Sequence, residues 1–127
     1  MNLLIDTHIF IWFINGDKKL SQRLIDLISN IKNRCYLSIA SIWEIAIKIS
    51  LERLEISGGF NNIKDFIQNN YIEILPISFE HLQRLINLEF YHKDPFDRII
   101  IAQAISEELN LITLDVCFNN YSVNIIR

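Results

Sequence analysis

MNLLIDTHIFIWFI, residues 1–14, is a short apolar run closed by an acid and followed at once by a second apolar segment. Residues 1–5 have the length and continuous hydrophobicity of a buried strand, stopped by Asp6. Residues 7–14 read as a helix packed by Ile9, Phe10, Trp12 and Phe13, and Asn15-Gly16-Asp17 supplies the turn that ends it. A strand, an acid and a helix in immediate succession are the opening of an α/β chain.

The same order recurs outward from this stretch. LITLD, residues 111–115, is again a strand closed by an acid, Asp115. Further strands are expected over residues 35–37, over 71–75, cut short by Pro76, and over 122–126. Between them lie helical patterns. Ser21 is placed to cap a helix carrying Leu24, Ile25, Leu27, Ile28 and Ile31. Ser38 or Ser41 starts one holding Ile42, Ile45, Ala46 and Ile49. Residues 51–59 form a connector ending in Gly58-Gly59, and a helix follows over 62–69. Ser78 begins another, with Glu80 and His81 in its first turn. Residues 96–109 form an amphipathic helix with Ile99, Ile100, Ala102, Gln103 and Ile105. Strands alternating with helices predict a parallel sheet covered on both faces.

Four acids stand where these elements begin or end: Asp6, Glu44, Asp97 and Asp115. If the strands before Asp6 and Asp115 are parallel neighbours, both carboxylates open on the sheet edge where α/β folds bind ligands. Gathered there, they repel one another unless a cation joins them, and metal-bound carboxylates point to phosphodiester chemistry. Each acid also has a structural reading. Asp6 is a preferred helix-capping residue. Glu44 has Lys48 four residues on, which in the structural reading is an exposed i,i+4 ion pair, and in the functional reading Lys48 meets a phosphate. Asp94 and Asp97 flank Pro95 at a helix start, with Asp94 the expected cap and Asp97, one turn in and beside Arg98, the expected ligand. Thr113 shares a strand side with Asp115 and is expected to orient its carboxylate. Thr7 follows Asp6 as a further supporting candidate. His8, His81 and His92 have no metal-ligand spacing and are expected on the surface or in supporting positions.

Composition sets the bounds. With 127 residues, half of them hydrophobic and 21% charged, the chain is expected to form one domain with a sizeable core. No apolar stretch reaches the ~18 residues of a membrane span. The opening segment lacks a basic leader and cleavage site, so no signal peptide is expected. Cys35 and Cys117 form no C-x-x-C pair and are expected as small buried or semi-buried thiols in a cytoplasmic protein. A net charge of −3 argues against a broad nucleic-acid footprint, but four clustered carboxylates account for all of it, leaving the remainder slightly positive. Three glycines in all and no G-x-x-x-x-G-K-[ST], G-x-G-x-x-G or G-x-S-x-G motif exclude a glycine-loop nucleotide site and a nucleophile elbow. Asp6-Thr7-His8 lacks the second acid of a D-x-D phosphatase pair. Eight Phe, two Trp and four Tyr exceed what so small an interior is expected to hold. Phe10, Trp12, Phe13 and Trp43 are therefore candidates for association surface.

Taken together, LLIDTH, SIWEIAIK with LERL after it, HKDPFDRIIIAQA, and LITLD with Phe118 and Tyr121 resemble a PIN domain, and closely the VapC-type toxins of bacterial toxin–antitoxin pairs. The likeness covers almost the whole chain in order. It implies a three-layer α/β/α sandwich around a central, mainly parallel sheet, and a metal-dependent ribonuclease whose acidic positions match Asp6, Glu44, Asp97 and Asp115. It implies Mg²⁺ or Mn²⁺ at Asp6, Asp97 and Asp115, an RNA substrate, a homodimer, and a cognate antitoxin that blocks the cleft; a basic residue of that antitoxin is expected to offer the carboxylates an alternative counter-charge. Two rival readings are a nuclease acting on structured DNA and a non-catalytic PIN-like binding module.

Overall fold

The structure is a computed structural model describing residues 1–127. The first strand, β1 (Asn2–Ile5), turns through Asp6 directly into helix α1 (Thr7–Asn15), which ends at Gly16 in the left-handed conformation that glycine adopts without strain. Helix α2 (Gln22–Ser29) is capped by the Ser21 hydroxyl, which accepts from the Leu24 N–H. Strand β2 (Arg34–Ser38) passes into helix α3 (Ile39–Ser50). Ser38 is the residue that caps α3, while Ser41 lies inside the helix and is buried. Helix α4 (Asn61–Asn69), strand β3 (Ile72–Leu75), helix α5 (Phe79–Ile86) and helix α6 (Pro95–Ser106) follow. Strand β4 (Asn110–Ile112), a 3₁₀ turn (Val116–Asn120) and strand β5 (Ile125–Ile126) complete the chain.

All five strands pair in parallel in the order β3-β2-β1-β4-β5. The chain steps outward from β1 to β3, then returns to lay β4 on the other side of β1. The order therefore reverses between β1 and β4, and this is the crevice where ligands bind in such sheets. The Asp6 N–H donates to the Ile112 carbonyl at 3.0 Å, extending the β1–β4 ladder into the crevice.

Alternation along β1 divides the interior. Leu3 and Ile5 face a core shared with Ile9 and Phe10 of α1, Leu24 of α2, Ile45 of α3 and Ile63 of α4. Leu4 faces a second core with Ile100 and Ile101 of α6, Leu111 and Phe118. Helices thus cover both sheet faces, as the three-layer reading requires, and the sheet is parallel throughout. Both cysteines are free: Cys35 is buried as expected, whereas Cys117, in the 3₁₀ turn after β4, is exposed and not the buried thiol the sequence suggested. No helix is long and apolar enough to cross a membrane.

Several boundaries depart from the sequence reading. Helix α2 stops at Ser29, and Ile31 is exposed. The Asn33 side chain donates to the Leu27 carbonyl, and Asn30 accepts from the Lys32 N–H, so a polar turn ends the helix before Ile31. Helix α6 ends at Ser106 because Glu108 takes a positive φ and turns the chain back, with the Leu109 N–H donating to the Ala104 carbonyl. Strand β4 ends at Ile112, and β5 is confined to two residues. Phe10, expected as association surface, is fully buried, and Trp12 and Phe13 pack partly against the same core. Trp43 alone of that group is exposed.

Candidate functional site

The crevice between β1 and β4 receives the acids from four separate elements. Asp6 leaves β1 and is 2% exposed, and its Oδ2 accepts from the Thr113 hydroxyl at 2.8 Å. Its side chain makes no capping bond to α1, so the capping reading gives way to one in which the carboxylate is held from β4. Thr113 therefore orients Asp6, and not the Asp115 carboxylate as its strand spacing suggested. It accepts from the Asp115 backbone N–H at 3.0 Å. Burial pushes the Asp6 carboxyl up, against the opposing pull of the Thr113 hydroxyl and His8.

Glu44 lies one turn into α3 and is 7% exposed. Its Oε2 meets Lys48 Nζ at 3.1 Å, so the expected i,i+4 pair forms with its acidic end buried. Asp94 caps α6, its Oδ1 accepting from the Phe96 N–H at 2.8 Å and the Asp97 N–H at 3.3 Å. That leaves Asp97 free to face the crevice. Its carboxyl is pushed up to about 8, first by burial and then by the charges of Asp6, Asp94, Glu44 and Asp115. Asp97 thus feels all the other candidate acids at once, and the cluster is one electrostatic unit. At Asp115 burial works upward, but the Cys117 N–H at 2.9 Å and His92 together hold the carboxyl below its ordinary value.

His92 was read as a surface or supporting residue, and it lies between the acids. Its Nε2 is 3.0 Å from Asp97 Oδ2 and 3.1 Å from Asp115 Oδ2. The one sequence signal was its place two residues before the capping Asp94. The other histidines lie apart: His8 is exposed, and buried His81 completes the capping box of α5 with Ser78. Arg98, expected beside the acids, points away from them. Its guanidinium is buried, donates to the carbonyls of Leu88, Glu89 and His92, and stacks on Phe90 at 3.8 Å. It fastens the loop that carries His92. Thr7 donates to Ser41 Oγ at 2.8 Å, tying α1 to α3 beneath the site.

Two carboxylate oxygens here, Asp6 Oδ1 and Glu44 Oε1, are buried without a hydrogen-bond partner. A buried acceptor left unsatisfied costs about 1–3 kcal/mol, more if charged. Such oxygens, beside an acid whose carboxyl is pushed up by burial and then by neighbouring charges, are suited to a hard divalent cation such as Mg²⁺ or Mn²⁺. His92, Asp115 and Cys117 also bring possible ligand atoms within 4.8 Å of one another. On the Asp6, Glu44 and Asp97 side the donor set is all oxygen.

Comparison with known proteins agrees with this fold. The family model described as the PIN domain matches residues 3–124. Among solved structures, VapBC2 from Rickettsia felis, bound to a promoter DNA fragment, superposes with a TM-score of 0.78 at 17% identity, covering 99% of this chain and 98% of that one. VapBC-1 from nontypeable Haemophilus influenzae gives 0.69 at 18%, over 99% and 97%. A toxin–antitoxin complex from Klebsiella pneumoniae gives 0.66 at 21%, over 98% and 96%. At these identities the likeness is one of fold. No curated protein sequence matches the chain. A parallel sheet with its acids at the β1–β4 switch point, and a family match over nearly the full length, place this chain in the PIN-domain family.

Proposed function

We propose that the chain is a metal-dependent endoribonuclease, the toxin of a toxin–antitoxin pair, working in the cytoplasm as one catalytic unit. The observation that carries the reading is the acidic cluster at the switch point, with two of its buried carboxylate oxygens unpartnered. Asp6, Asp97 and Asp115 would hold Mg²⁺ or Mn²⁺, which lowers the pKa of a bound water and stabilises charge on phosphoryl oxygens. Thr113 fixes the rotation of the Asp6 carboxylate through its 2.8 Å bond. Glu44 keeps Oε1 free to accept a proton from the attacking water, while Lys48 on its other oxygen is partly exposed and within reach of a phosphate. Burial of Asp6 and Glu44 keeps bulk water off the reacting atoms.

RNA is favoured over duplex DNA by what flanks the acids. Trp43 is 60% exposed and meets Phe96 edge-on at 5.0 Å, beside Glu44 and Asp97 in the chain. An exposed aromatic at a cleft rim stacks an unpaired base, which a duplex does not offer. The toxin reading rests on likeness to VapBC structures and to the Klebsiella toxin–antitoxin complex. It is supported by a groove lined by Ile39, Ile42, Phe60, Ile63, Ile67 and Ile74, suited to the apolar face of an antitoxin segment. A homodimer is supported by Phe79, Leu82 and Ile86, exposed along one stripe of α5.

The test is incubation of the purified chain with total RNA and mapping of the new ends, with Mg²⁺ or Mn²⁺, with EDTA, and with metal restored. Cleavage that appears with metal and is absent from Asp97→Asn is the expected result. Full activity after exhaustive chelation would rule the mechanism out. Co-purification with the product of an adjacent gene tests the toxin assignment separately.

A further inference from the structure

We infer that His92 is a positioning residue of the acidic centre, holding Asp97 and Asp115 in register for a divalent cation by donating a hydrogen bond to Asp115 while its Nε2 stays in close polar contact with Asp97. The inference rests on the metal-dependent reading above and assigns a role to a residue that reading does not use.

The tautomer follows from a backbone contact. The Asp94 N–H donates to His92 Nδ1 at 3.2 Å. A backbone N–H cannot accept, so Nδ1 presents its lone pair and the ring proton sits on Nε2. That atom is the one lying 3.0 Å from Asp97 Oδ2 and 3.1 Å from Asp115 Oδ2. The two acids come from the first turn of α6 and from the segment after β4, which no backbone ladder joins. His92 is the direct link between their side chains.

The ring is itself fixed. Phe118 lies against it with centroids 5.3 Å apart. The His92 N–H donates to the Tyr121 hydroxyl at 2.7 Å, and its carbonyl accepts from Arg98 at 3.2 Å. Tyr121 in turn donates to the Glu89 carbonyl. The loop before α6 is thus tied down at His92, and the buried Arg98 serves the acids through it. Coordination through Nε2 would require the ring proton on Nδ1, facing the Asp94 N–H. The geometry makes His92 a donor to Asp115 in close contact with Asp97, and leaves the remaining lone pairs of both carboxylates for the cation. Partners of this kind set the orientation of ligating groups, and losing one typically costs ~10–100-fold in metal affinity.

The experiment measures Mn²⁺ binding to the full chain by calorimetry, without RNA, for the native protein and for His92→Ala, His92→Gln and His92→Asn. The Gln amide nitrogen reaches about where Nε2 stands and donates, whereas the Asn amide falls short. His92→Ala and His92→Asn are expected to weaken Mn²⁺ by ~10–100-fold, and His92→Gln to recover to within about threefold of native. If His92→Ala does not fold, the Gln and Asn pair carries the comparison. Affinity in His92→Ala or His92→Asn equal to native or tighter overturns the role, because His92 would then be idle or in competition with the metal. A Gln variant as weak as Asn overturns the donor assignment. No Mn²⁺ binding by the native chain overturns the metal reading and this inference together, whereas the other outcomes leave that reading standing.

Discussion

Asp97 brings the two demands on this site into conflict at a single residue. A carboxyl pushed up to about 8 by burial and by neighbouring acids is poorly tolerated as an anion until a cation arrives. The unfolded chain releases this proton near 3.8 and the metal-free fold releases it near 8. Between those values the folded state binds more protons than the unfolded one, so rising pH costs stability. The contribution is intact below the unfolded value and lost as pH passes through the folded one. Asp97→Asn removes this slope. In chelator, native melting temperature should fall more steeply from pH 4 to pH 8 than that of the variant, as followed by circular dichroism. The same variant should lose cleavage by more than the ~10–100-fold typical of an outer partner of a metal ligand. Asp94→Ala gives the opposite profile: about 1 kcal/mol of stability lost with the cap, and cleavage less affected than in Asp97→Asn. Denaturant melts paired with cleavage assays separate the two, and a larger loss of activity in Asp94→Ala than in Asp97→Asn would move the ligand role to Asp94. The sequence identified Asp94 as the cap because capping is local and Pro95 marks the helix start. It left His92 unassigned because one of its partners, Asp115, lies 23 residues away. Thr113 was given the wrong carboxylate for a related reason, since its bond to Asp6 spans 107 residues.

Helix α5 shows what periodicity reveals about an element and what it conceals. Ser78 and His81 announce its start, and the capping box forms as their spacing requires. Which aromatic side chains stay outside was not legible. Phe10 looks like surplus in the sequence, yet it is buried edge-on to Phe66 of α4, a contact set by tertiary packing. Among the exposed apolar side chains are Phe79, Leu82 and Ile86, which recur at helical spacing on α5. Element ends were misjudged where side chains captured backbone groups, as Asn33 does at the end of α2. If the α5 stripe is the homodimer face, replacing Leu82 and Ile86 together by Glu should give a monomer. The positions are 44% and 79% exposed, so the fold should lose little stability. Light scattering at tens of micromolar reads the state. A double variant that remains dimeric moves the interface elsewhere, and a monomeric native chain removes it.

At the scale of the molecule, the site exists because β4 returns to pair with β1. The sequence showed two strands closed by acids but not that they are neighbours, since pairing between residues about a hundred positions apart leaves no local signal. Once they pair, Asp6 and Thr113 meet, and α3 and α6 bring Glu44 and Asp97 over the same edge. The fold therefore gathers repelling charges that it neutralises only in part, through Lys48 on Glu44. A cation that binds only the folded state stabilises it by mass action, about 2.7 kcal/mol at a hundred times its dissociation constant. For a domain of this size that corresponds to a rise of several degrees in melting temperature. Mn²⁺ should produce such a rise in the native chain, increasing with metal concentration and reversed by EDTA. Asp6→Asn combined with Asp97→Asn should melt above the native protein in EDTA, because repulsion is relieved, and should respond little to Mn²⁺. The two curves should therefore converge or cross as metal is added. Parallel curves, with the same response to Mn²⁺ in both proteins, would place the stabilising cation away from the switch point and detach the acidic cluster from metal binding.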